Sequence, residues 1–320
     1  MPCQFCHHPA FTPVSSKDAK TGQPLPVGMC DGCGLVQVIN MPSEEELNSY
    51  YREDYRQDYK GVITPRAEHV FRAGNIALER LDLLSRADLW SGRLLDVGAG
   101  GGEFTYLASR MGYTATGVEP NKGYSGYAKE TYGCDIRTGY LQDIKGRYDI
   151  ITLFHVLEHL RDPVAAFAHL HSLLNPQGHL LVEVPWIETK DASPNNIFFR
   201  AHLYYFSIET LKAAASRHFE CVQIDTRANL KILFRSRRVP AMLTLPDSQS
   251  VSALRMRLNS KGWMEYLFAG GGLIKPLRKQ IQRFQERKVR GLHARSILDR
   301  LLSPTRKHCH VHSAQSLPQP

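Results

Sequence analysis

The stretch "LLDVGAGGGEF", Leu94 to Phe104, decides the fold, because a short apolar run opens into a glycine-rich loop. Gly98, Gly100 and Gly102 follow what the apolar run predicts to be a buried strand, and a helical pattern follows them. Such a loop lets a ligand approach the backbone closely, since glycine has no Cβ in the way.

Strand and helix patterns alternate on both sides of this loop. Helical patterns cover 67–84, 103–111, 122–132, a stretch that starts at 162, and 207–217. Strand patterns are "RLLDV", "TATGVE", a weak one at Ile136, "YDIITLF", "HLLVEVP", 221–224 and 230–234. This alternation predicts an α/β fold with a doubly wound, Rossmann-like parallel sheet of seven strands.

The charges around the loop indicate which ligand it suits. A dinucleotide fingerprint, Gly-x-Gly-x-x-Gly, would need glycine where Glu103 stands, and a carboxylate at a helix N-terminus is a poor neighbour for pyrophosphate. Asp96 adds negative charge at the tip of the strand, so a cationic or neutral ligand fits better. Glu119 ends the second strand and is placed to accept both hydroxyls of a ribose.

The ordered motifs "LLDVGAGGGEF…GVEP…YDIITLFHVLEHLRDP…LLNPQGHLLVEVP" resemble the class I S-adenosylmethionine-dependent methyltransferases over about 170 residues. An NAD-binding domain is the disfavoured alternative. The resemblance implies S-adenosyl-L-methionine as cofactor and one enzyme activity, methyl transfer. It also implies a set of cofactor-binding residues, with Tyr140 and Leu141 near adenine: Asp96, Gly98, Gly100, Gly102, Glu119, Tyr140, Leu141 and His155.

The stretch "FHVLEHL", Phe154 to Leu160, has the spelling of an inverted zinc-protease motif. That motif needs a long helix, whereas a strand ends at Phe154 and the next helix starts at 162, so at most one loose turn fits between them. His155 is predicted to line the cofactor or substrate pocket at this end of the strand. For Glu158 and His159 the alternatives are ordering of the loop, substrate contact and metal binding.

Two Cys-x-x-Cys pairs lie near the N-terminus, Cys3 with Cys6 and Cys30 with Cys33. Together they predict a metal-binding site. Four thiolates around a structural Zn²⁺ would supply the folding energy that residues 1–40 are too few to gain from a core of their own. A redox Cys-x-x-Cys would need a strand-to-helix context that is missing here. Ser43 and Glu46 form the pattern of a capping box.

The zinc module suggests a class of methyl acceptor. "GMCDGCGLVQVINMPSEEELNSYYREDY" resembles the N-terminal zinc-binding domain of sugar C-methyltransferases, with Tyr50, Tyr51 and Tyr55 in the match. Those enzymes carry Tyr-His-Glu-His-x-x-Tyr-Phe-Ser near the acceptor. Here "FRAHLYYFS" (199–207) keeps His202 and the final Tyr-Phe-Ser but has Phe, Arg and Ala at the first three positions.

These departures favour O-methylation over C-methylation. Removal of a carbon-bound proton requires a base and several groups that stabilise the enolate, whereas a hydroxyl requires one base near neutral pKa. We therefore expect a sugar, nucleotide-sugar or glycan precursor as acceptor, with His202 and His155 in the catalytic site and His202 as the base. A structural histidine that caps the next helix is the alternative for His202.

The predicted domains are a zinc module and linker helix (1–60), a methyltransferase domain (61–235) and a basic, partly helical tail with a disordered end (236–320). From Arg235 onward there are 17 Lys/Arg against 4 Asp/Glu, within a chain of net charge +9. The tail could dock on the rest of the chain, contact an anionic membrane or bind nucleic acid, the last being disfavoured because few aromatics interleave with the charges.

No apolar run reaches the roughly 18–20 residues of a membrane span, and the N-terminus lacks a signal-peptide pattern. The expected location is therefore cytoplasmic, with peripheral contact at the inner face of the membrane as an alternative. Two rival functions are an RNA or protein methyltransferase, which would use the zinc module and basic tail for docking, and a non-enzymatic cofactor-binding scaffold.

Overall fold

The computed structural model describes residues 2–43, residue 46 and residues 65–312, with side chains as far as Ser303. The tyrosines at 50, 51 and 55 lie outside the described residues. The sequence predicts a disordered end at 310–320, which is wrong for 310–312, because the last helix extends to His312, and residues 313–320 lie outside the described residues. The backbone divides into two compact units, Met1–Gly61 with Lys145–Pro276 (the first unit) and Val62–Ile144 with Leu277–Pro320 (the second unit). The predicted division into three domains stays a prediction.

Strands and helices alternate through the middle of the chain, as the sequence predicts. The described strands are β1 Phe11–Lys17, β2 Pro24–Cys30, β3 Val36–Val38, β4 Gly92–Val97, β5 Tyr113–Glu119, β6 Asp135–Thr138, β7 Tyr148–Phe154, β8 Leu174–Val184, β9 Tyr204–Tyr205, β10 Phe219–Asp225 and β11 Leu230–Ser236. The described helices are α1 Ala67–Ser85, α2 Glu103–Met111, α3 Lys122–Tyr132, α4 Pro163–Leu173, α5 Ile208–Ala215, α6 Ser248–Asn259, α7 Lys275–Arg287 and α8 Ala294–His312.

The predicted seven-stranded sheet is confirmed, with the strand order β10-β11-β8-β7-β4-β5-β6. Strands β4 and β5, β5 and β6, and β7 and β8 pair in parallel. The expectation of a wholly parallel sheet is wrong for one strand, because β11 runs antiparallel to both of its neighbours, β8 and β10. Only four residues separate β10 from β11, and so short a connection joins antiparallel neighbours, whereas a parallel pair needs a crossover of a dozen residues or more.

The first unit contains a second, four-stranded sheet, in the order β1-β2-β3-β9. Its first three strands come from the zinc module, but β9 is contributed by Tyr204 and Tyr205, which pair with Gln37 and Val36. The core of this sheet likewise combines module residues with later ones, which supports the expectation that residues 1–40 cannot build a core alone. This core comprises Leu25, Val27, Met29, Val36, Val38, Ile187, Phe198, Tyr205, Val251 and Leu254.

The predicted helices of the basic tail are present at α6, α7 and α8. In the first unit, Arg255 of α6 donates to Asp31 of the zinc module at 2.7 Å. In the second unit, the hydroxyl of Tyr106 donates to Asp299 of α8 at 2.7 Å. Intramolecular docking thus accounts for these two helices. Among the described residues, no helix combines the length and apolar character that crossing a bilayer requires.

Candidate functional site

The glycine loop between β4 and α2 adopts the conformation that its sequence predicts. Gly98, Gly100 and Gly102 have φ values of +76°, +53° and +87°, in the left-handed region that favours glycine. A Cβ on Gly102 would lie 2.6 Å from the Cβ of Ala128, so this glycine allows α3 to pack closely. A Cβ on Gly100 would meet no atom within 4 Å, which leaves room for a ligand beside the backbone.

Glu119, at the end of β5, holds this loop in place by accepting hydrogen bonds from the backbone. One carboxylate oxygen accepts from the backbone N–H of Gly100 at 2.9 Å, and the other accepts from the N–H of Asn121 at 2.9 Å. Burial raises the pKa of Glu119, and these two N–H groups oppose that rise. Each oxygen keeps a further lone pair, so the carboxylate can also accept from ribose hydroxyls, and that role stays a prediction.

Two more carboxyl groups lie buried beside the loop. Asp96 accepts from the hydroxyl of Thr105 at 2.9 Å. Burial, together with the charge of Asp96, raises the pKa of Glu103 to about 7, and one Glu103 oxygen has no hydrogen-bond partner among the described residues. Three carboxyl groups around one loop disfavour a phosphate ligand and suit a sulfonium cation with free hydroxyls. The chain's own residues therefore fit S-adenosylmethionine.

Tyr140 and Leu141 were predicted to lie near adenine. Tyr140 precedes a single turn of 3₁₀ helix, Leu141–Asp143, and its backbone N–H donates to Asp143 at 2.8 Å. The Tyr140 side chain is largely exposed, so its ring is open to a ligand. The adenine contact of these two residues stays a prediction.

The "FHVLEHL" stretch contains the one loose turn that the sequence allows. Strand β7 ends at Phe154, and a short 3₁₀ turn covers Leu157–His159. Asp162 then caps α4 by accepting from the N–H of Ala165 at 2.8 Å. The stretch is therefore no part of a long helix, which excludes the zinc-protease arrangement.

His155 lies between two buried carboxylates of the first unit. Its Nδ1 is 3.3 Å from Glu158, and its Nε2 is 3.3 Å from Glu183. Asn229 donates to the same Glu183 oxygen at 2.7 Å, and His155 takes a left-handed φ of +57°. Although burial lowers the pKa of His155, the two carboxylates outweigh it and raise the pKa to about 9. The raised pKa favours the cationic form of His155 and disfavours it as a base.

A second histidine cluster forms where His202 lies close to the Leu157–His159 turn. One ligand atom each of Glu158, His159 and His202 lies within 4.8 Å of the others. Glu158 is fully buried, and neither of its carboxylate oxygens has a hydrogen-bond partner among the described residues. Its ion-pair contact with His155 Nδ1 is 3.3 Å long. The Nδ1 of His159 lies 2.7 Å from the carbonyl oxygen of Ala201, which orients its Nε2 towards Glu158, 3.9 Å away.

His202 is half-buried in this cluster. Burial and the neighbouring His159 lower its pKa to about 4, against the opposing charge of Glu158. It does not cap the next helix, because Ser207 accepts from the N–H of Thr210 at 3.2 Å and is the N-cap of α5. The capping alternative for His202 is therefore wrong. Sequence reasoning missed that His202 meets Glu158 and His159, since 43 residues separate the two histidines.

The segment from Phe198 to Ser207, called the His202 segment below, is fastened by the zinc module. The carboxylate of Asp18 accepts from the backbone N–H of Arg200 at 2.6 Å, and the N–H of Ala19 donates to the carbonyl of Phe198 at 2.7 Å. The pairing of β9 with β3 holds the segment at its other end. The turn after β7 adds a further bond, from the N–H of Leu203 to the carbonyl of Glu158 at 2.8 Å.

The four N-terminal cysteines come together as predicted. The sulfurs of Cys3 and Cys33 are 3.5 Å apart, as are those of Cys6 and Cys30, and all four lie within 4.8 Å of one another. A disulfide would require about 2.05 Å, whereas a tetrahedron of thiolates about 2.3 Å from zinc separates the sulfurs by about 3.8 Å. The cluster fits a structural Zn²⁺. The predicted capping box is also present, with reciprocal bonds of 2.7 and 3.1 Å between Ser43 and Glu46.

Comparison with known proteins agrees with this geometry. Residues 67–224 match the family model described as "Methyltransferase domain". These residues are a class I S-adenosylmethionine-dependent methyltransferase domain. The predicted enzyme class and cofactor are thereby confirmed for this part of the chain.

Curated relatives are similar to about a third of this chain. The ubiquinone biosynthesis O-methyltransferase of Vibrio parahaemolyticus is 31% identical over 108 residues, which cover 31% of this chain and 46% of the relative. The protein of the same name from Xanthomonas oryzae is 32% identical over 113 residues, covering 32% and 47%. The chain spans about half the length of the curated relatives it matches.

Among solved structures, the magnesium protoporphyrin IX methyltransferase of Synechocystis with bound SAH is similar over 61% of this chain and 100% of its own. The TM-score is 0.48 and the sequence identity 12%.

Proposed function

We propose that this chain transfers the methyl group of S-adenosylmethionine to a hydroxyl of a small-molecule acceptor. The observation that carries the proposal is the Glu119 carboxylate bound to the N–H of Gly100, with open space beside that glycine, inside the matched methyltransferase domain. The bound cofactor supplies an electrophilic methyl group on a sulfonium. The remaining steps are performed by the chain's own side chains.

On the cofactor side, the proposed roles are binding and orientation. Glu119 accepts from the ribose hydroxyls, while Asp96 and the ionised form of Glu103 place negative charge near the sulfonium. Tyr140 and Leu141 contact adenine. Alignment of the acceptor oxygen with the methyl group and the sulfur is the main source of rate, an effect of about 7–11 kcal/mol in well-oriented models.

On the acceptor side, we propose that His202 accepts the hydroxyl proton. Its pKa is lowered to about 4, below the near-neutral value that best suits a base, whereas the charge of Glu158 opposes that shift and would stabilise the imidazolium that forms. Charged His155 stabilises negative charge that develops on the acceptor oxygen. The names of the curated relatives, both O-methyltransferases, support a hydroxyl over a carbon as the methylated atom.

The proposed acceptor is a sugar, nucleotide-sugar or glycan precursor, on the strength of the zinc module and the His202 segment. The names of the relatives favour a second class, hydroxylated precursors of ubiquinone. Purified protein should be incubated with labelled cofactor and a panel of both classes plus RNA. Label on a sugar supports the proposal. Label on an aromatic hydroxyl keeps O-methylation and replaces the acceptor class, and label on RNA alone overturns it.

The alternative to His202 as a base is that His202 binds a metal ion together with Glu158 and His159. The number of metal ions bound per purified chain distinguishes a base from a metal ligand. We propose one structural zinc per chain, at Cys3, Cys6, Cys30 and Cys33, and no change of metal content in His202→Ala despite a loss of turnover. If wild type holds two ions and His202→Ala holds one, His202 is a ligand and its role as base is wrong.

A further inference from the structure

Helix α7 has two unlike faces. Leu277, Ile281 and Phe284 follow one another at spacings of four and three residues, which places their side chains on one stripe of the helix. These side chains are 60%, 53% and 62% exposed. Three large apolar groups of one helix therefore lie in water and not in a core, which marks an interaction surface.

The opposite face of α7 attaches it to the second unit. Glu286 follows Leu277 by nine residues, or two and a half helical turns, and so projects from the other side. Its side chain is buried and accepts from Arg72 of α1 at 2.8 Å and from Gln282 at 2.7 Å. The apolar stripe consequently points away from the residues to which α7 is attached.

The charges of α7 select the kind of partner. Its one acidic residue, Glu286, is paired, while the basic residues are Lys275, Arg278, Lys279, Arg283 and Arg287. The apolar character also continues along the chain before the helix: of the 17 exposed large hydrophobic side chains among the described residues, 8 lie within 263–284. An apolar stripe flanked by cations is typical of a helix that lies in the plane of an anionic bilayer.

We propose that α7 inserts its apolar stripe into the interface of an anionic lipid membrane, with Leu277, Ile281 and Phe284 at the acyl chains and the basic residues at the headgroups. Nucleic acid suits this surface less well, because Phe284 is the single aromatic of the helix and offers one base-stacking platform. The inference is independent of the identity of the methyl acceptor.

Vesicle flotation of the full chain tests the proposal. Wild type is expected to float with phosphatidylcholine–phosphatidylglycerol vesicles and to remain with the soluble fraction when the vesicles are pure phosphatidylcholine. Ile281→Glu with Phe284→Glu should lower the partition coefficient about a hundredfold or more, since each side chain loses its burial in acyl chains. Met256→Glu, which adds the same charge at another exposed apolar side chain, should partition like wild type.

A second variant separates loss of binding from loss of folding. Arg278→Gln with Arg283→Gln keeps the apolar stripe and should lower partition about 25-fold, at roughly fivefold per basic residue. Calorimetric binding of S-adenosylmethionine should be unchanged in all variants. The proposal is wrong if the wild type does not float with anionic vesicles, or if the stripe variants float like the wild type. If the wild type binds neither kind of vesicle but binds RNA, the surface is a nucleic-acid site.

Discussion

The glycine loop and the His202 segment obtain their shapes in different ways. The loop is fixed by neighbours in sequence and by one carboxylate: Gly98 to Glu119 span 22 residues, and the bond from Gly100 to Glu119 closes them. The His202 segment is fixed from far along the chain, by Asp18 and by pairing of Tyr205 with Val36. The proposed cofactor side is therefore locally encoded, whereas the proposed acceptor side depends on residues of the N-terminal module.

Removal of the proposed zinc site should have the largest effect, and should separate the two regions by lowering acceptor turnover while leaving cofactor affinity intact. Cys33→Ser leaves three ligands, and the strands that hold the His202 segment lose their metal support. We expect acceptor turnover to fall by about a thousandfold, because structural zinc contributes folding energy directly. The affinity for S-adenosylmethionine, measured by calorimetry, should stay within about threefold.

Cys221→Ser, at an exposed cysteine remote from the cluster in sequence, is the matched control and should retain turnover. A parallel loss of cofactor affinity in Cys33→Ser would contradict the independence of the two regions.

The opposite test removes the carboxylate that closes the loop. Glu119→Ala abolishes the bonds to the N–H groups of Gly100 and Asn121 and the proposed bonds to ribose. Charge-assisted hydrogen bonds contribute about 1.5–3 kcal/mol each, so the Kd for S-adenosylmethionine should rise about a hundredfold or more. Glu119→Gln, which keeps one acceptor oxygen, should show a smaller rise. An unchanged Kd in Glu119→Ala would remove Glu119 from the cofactor site.

A milder change loosens the His202 segment without touching zinc. Asp18→Ala removes the acceptor of the Arg200 N–H, so the segment gains freedom, and kcat/KM for the acceptor should fall about tenfold. Asp31→Ala is the control, because Asp31 lies in the same module but bonds to Thr12 and Arg255. Steady-state kinetics that show equal losses in both variants would mean that general loosening of the module, and not the Asp18 contact, is responsible.

The smallest expected effect concerns pH. The pKa of His155 is raised from 6.5 to about 9 by Glu158 and Glu183, so its stabilisation is complete below pH 6.5 and is lost as pH rises through 9. The free energy of unfolding in urea should decline over this range. His155→Asn, which tolerates the positive φ, should decline less. Equal slopes for wild type and variant would show that His155 is not the titrating group.

The difference between the regions also explains what sequence could predict. The strand–loop–helix at Leu94 to Phe104, the turn before Asp162 and the cysteine cluster all follow from residues close in sequence or from spacing alone. The direction of β11 does not follow from the helix-linked pattern of the earlier strands, because its four-residue connection to β10 imposes an antiparallel pairing. The first three strands of the zinc module were missed because the core that stabilises them includes Val251 and Leu254.

The His202 cluster could not be found from sequence for a related reason. Nothing local links His202 to Glu158, since the bond from the Leu203 N–H to the Glu158 carbonyl joins residues 45 positions apart, with β8 between them in the sequence. The partners of His155 were equally hidden, because Glu183 and Asn229 lie on different strands or loops. The sequence shows which histidines and carboxylates are present, whereas the shifts of their pKa values depend on contacts that exist only in the folded chain.

The two-residue strand β9 has a consequence for the order of events during synthesis. The edge of β3 at Val38 is translated 166 residues before Tyr204. At about 5–20 residues per second, the ribosome needs on the order of 10 seconds to deliver the missing strand. During that interval the nascent N-terminus carries a sheet edge that lacks its β9 partner. Completion of this sheet thus waits until most of the catalytic domain has left the exit tunnel.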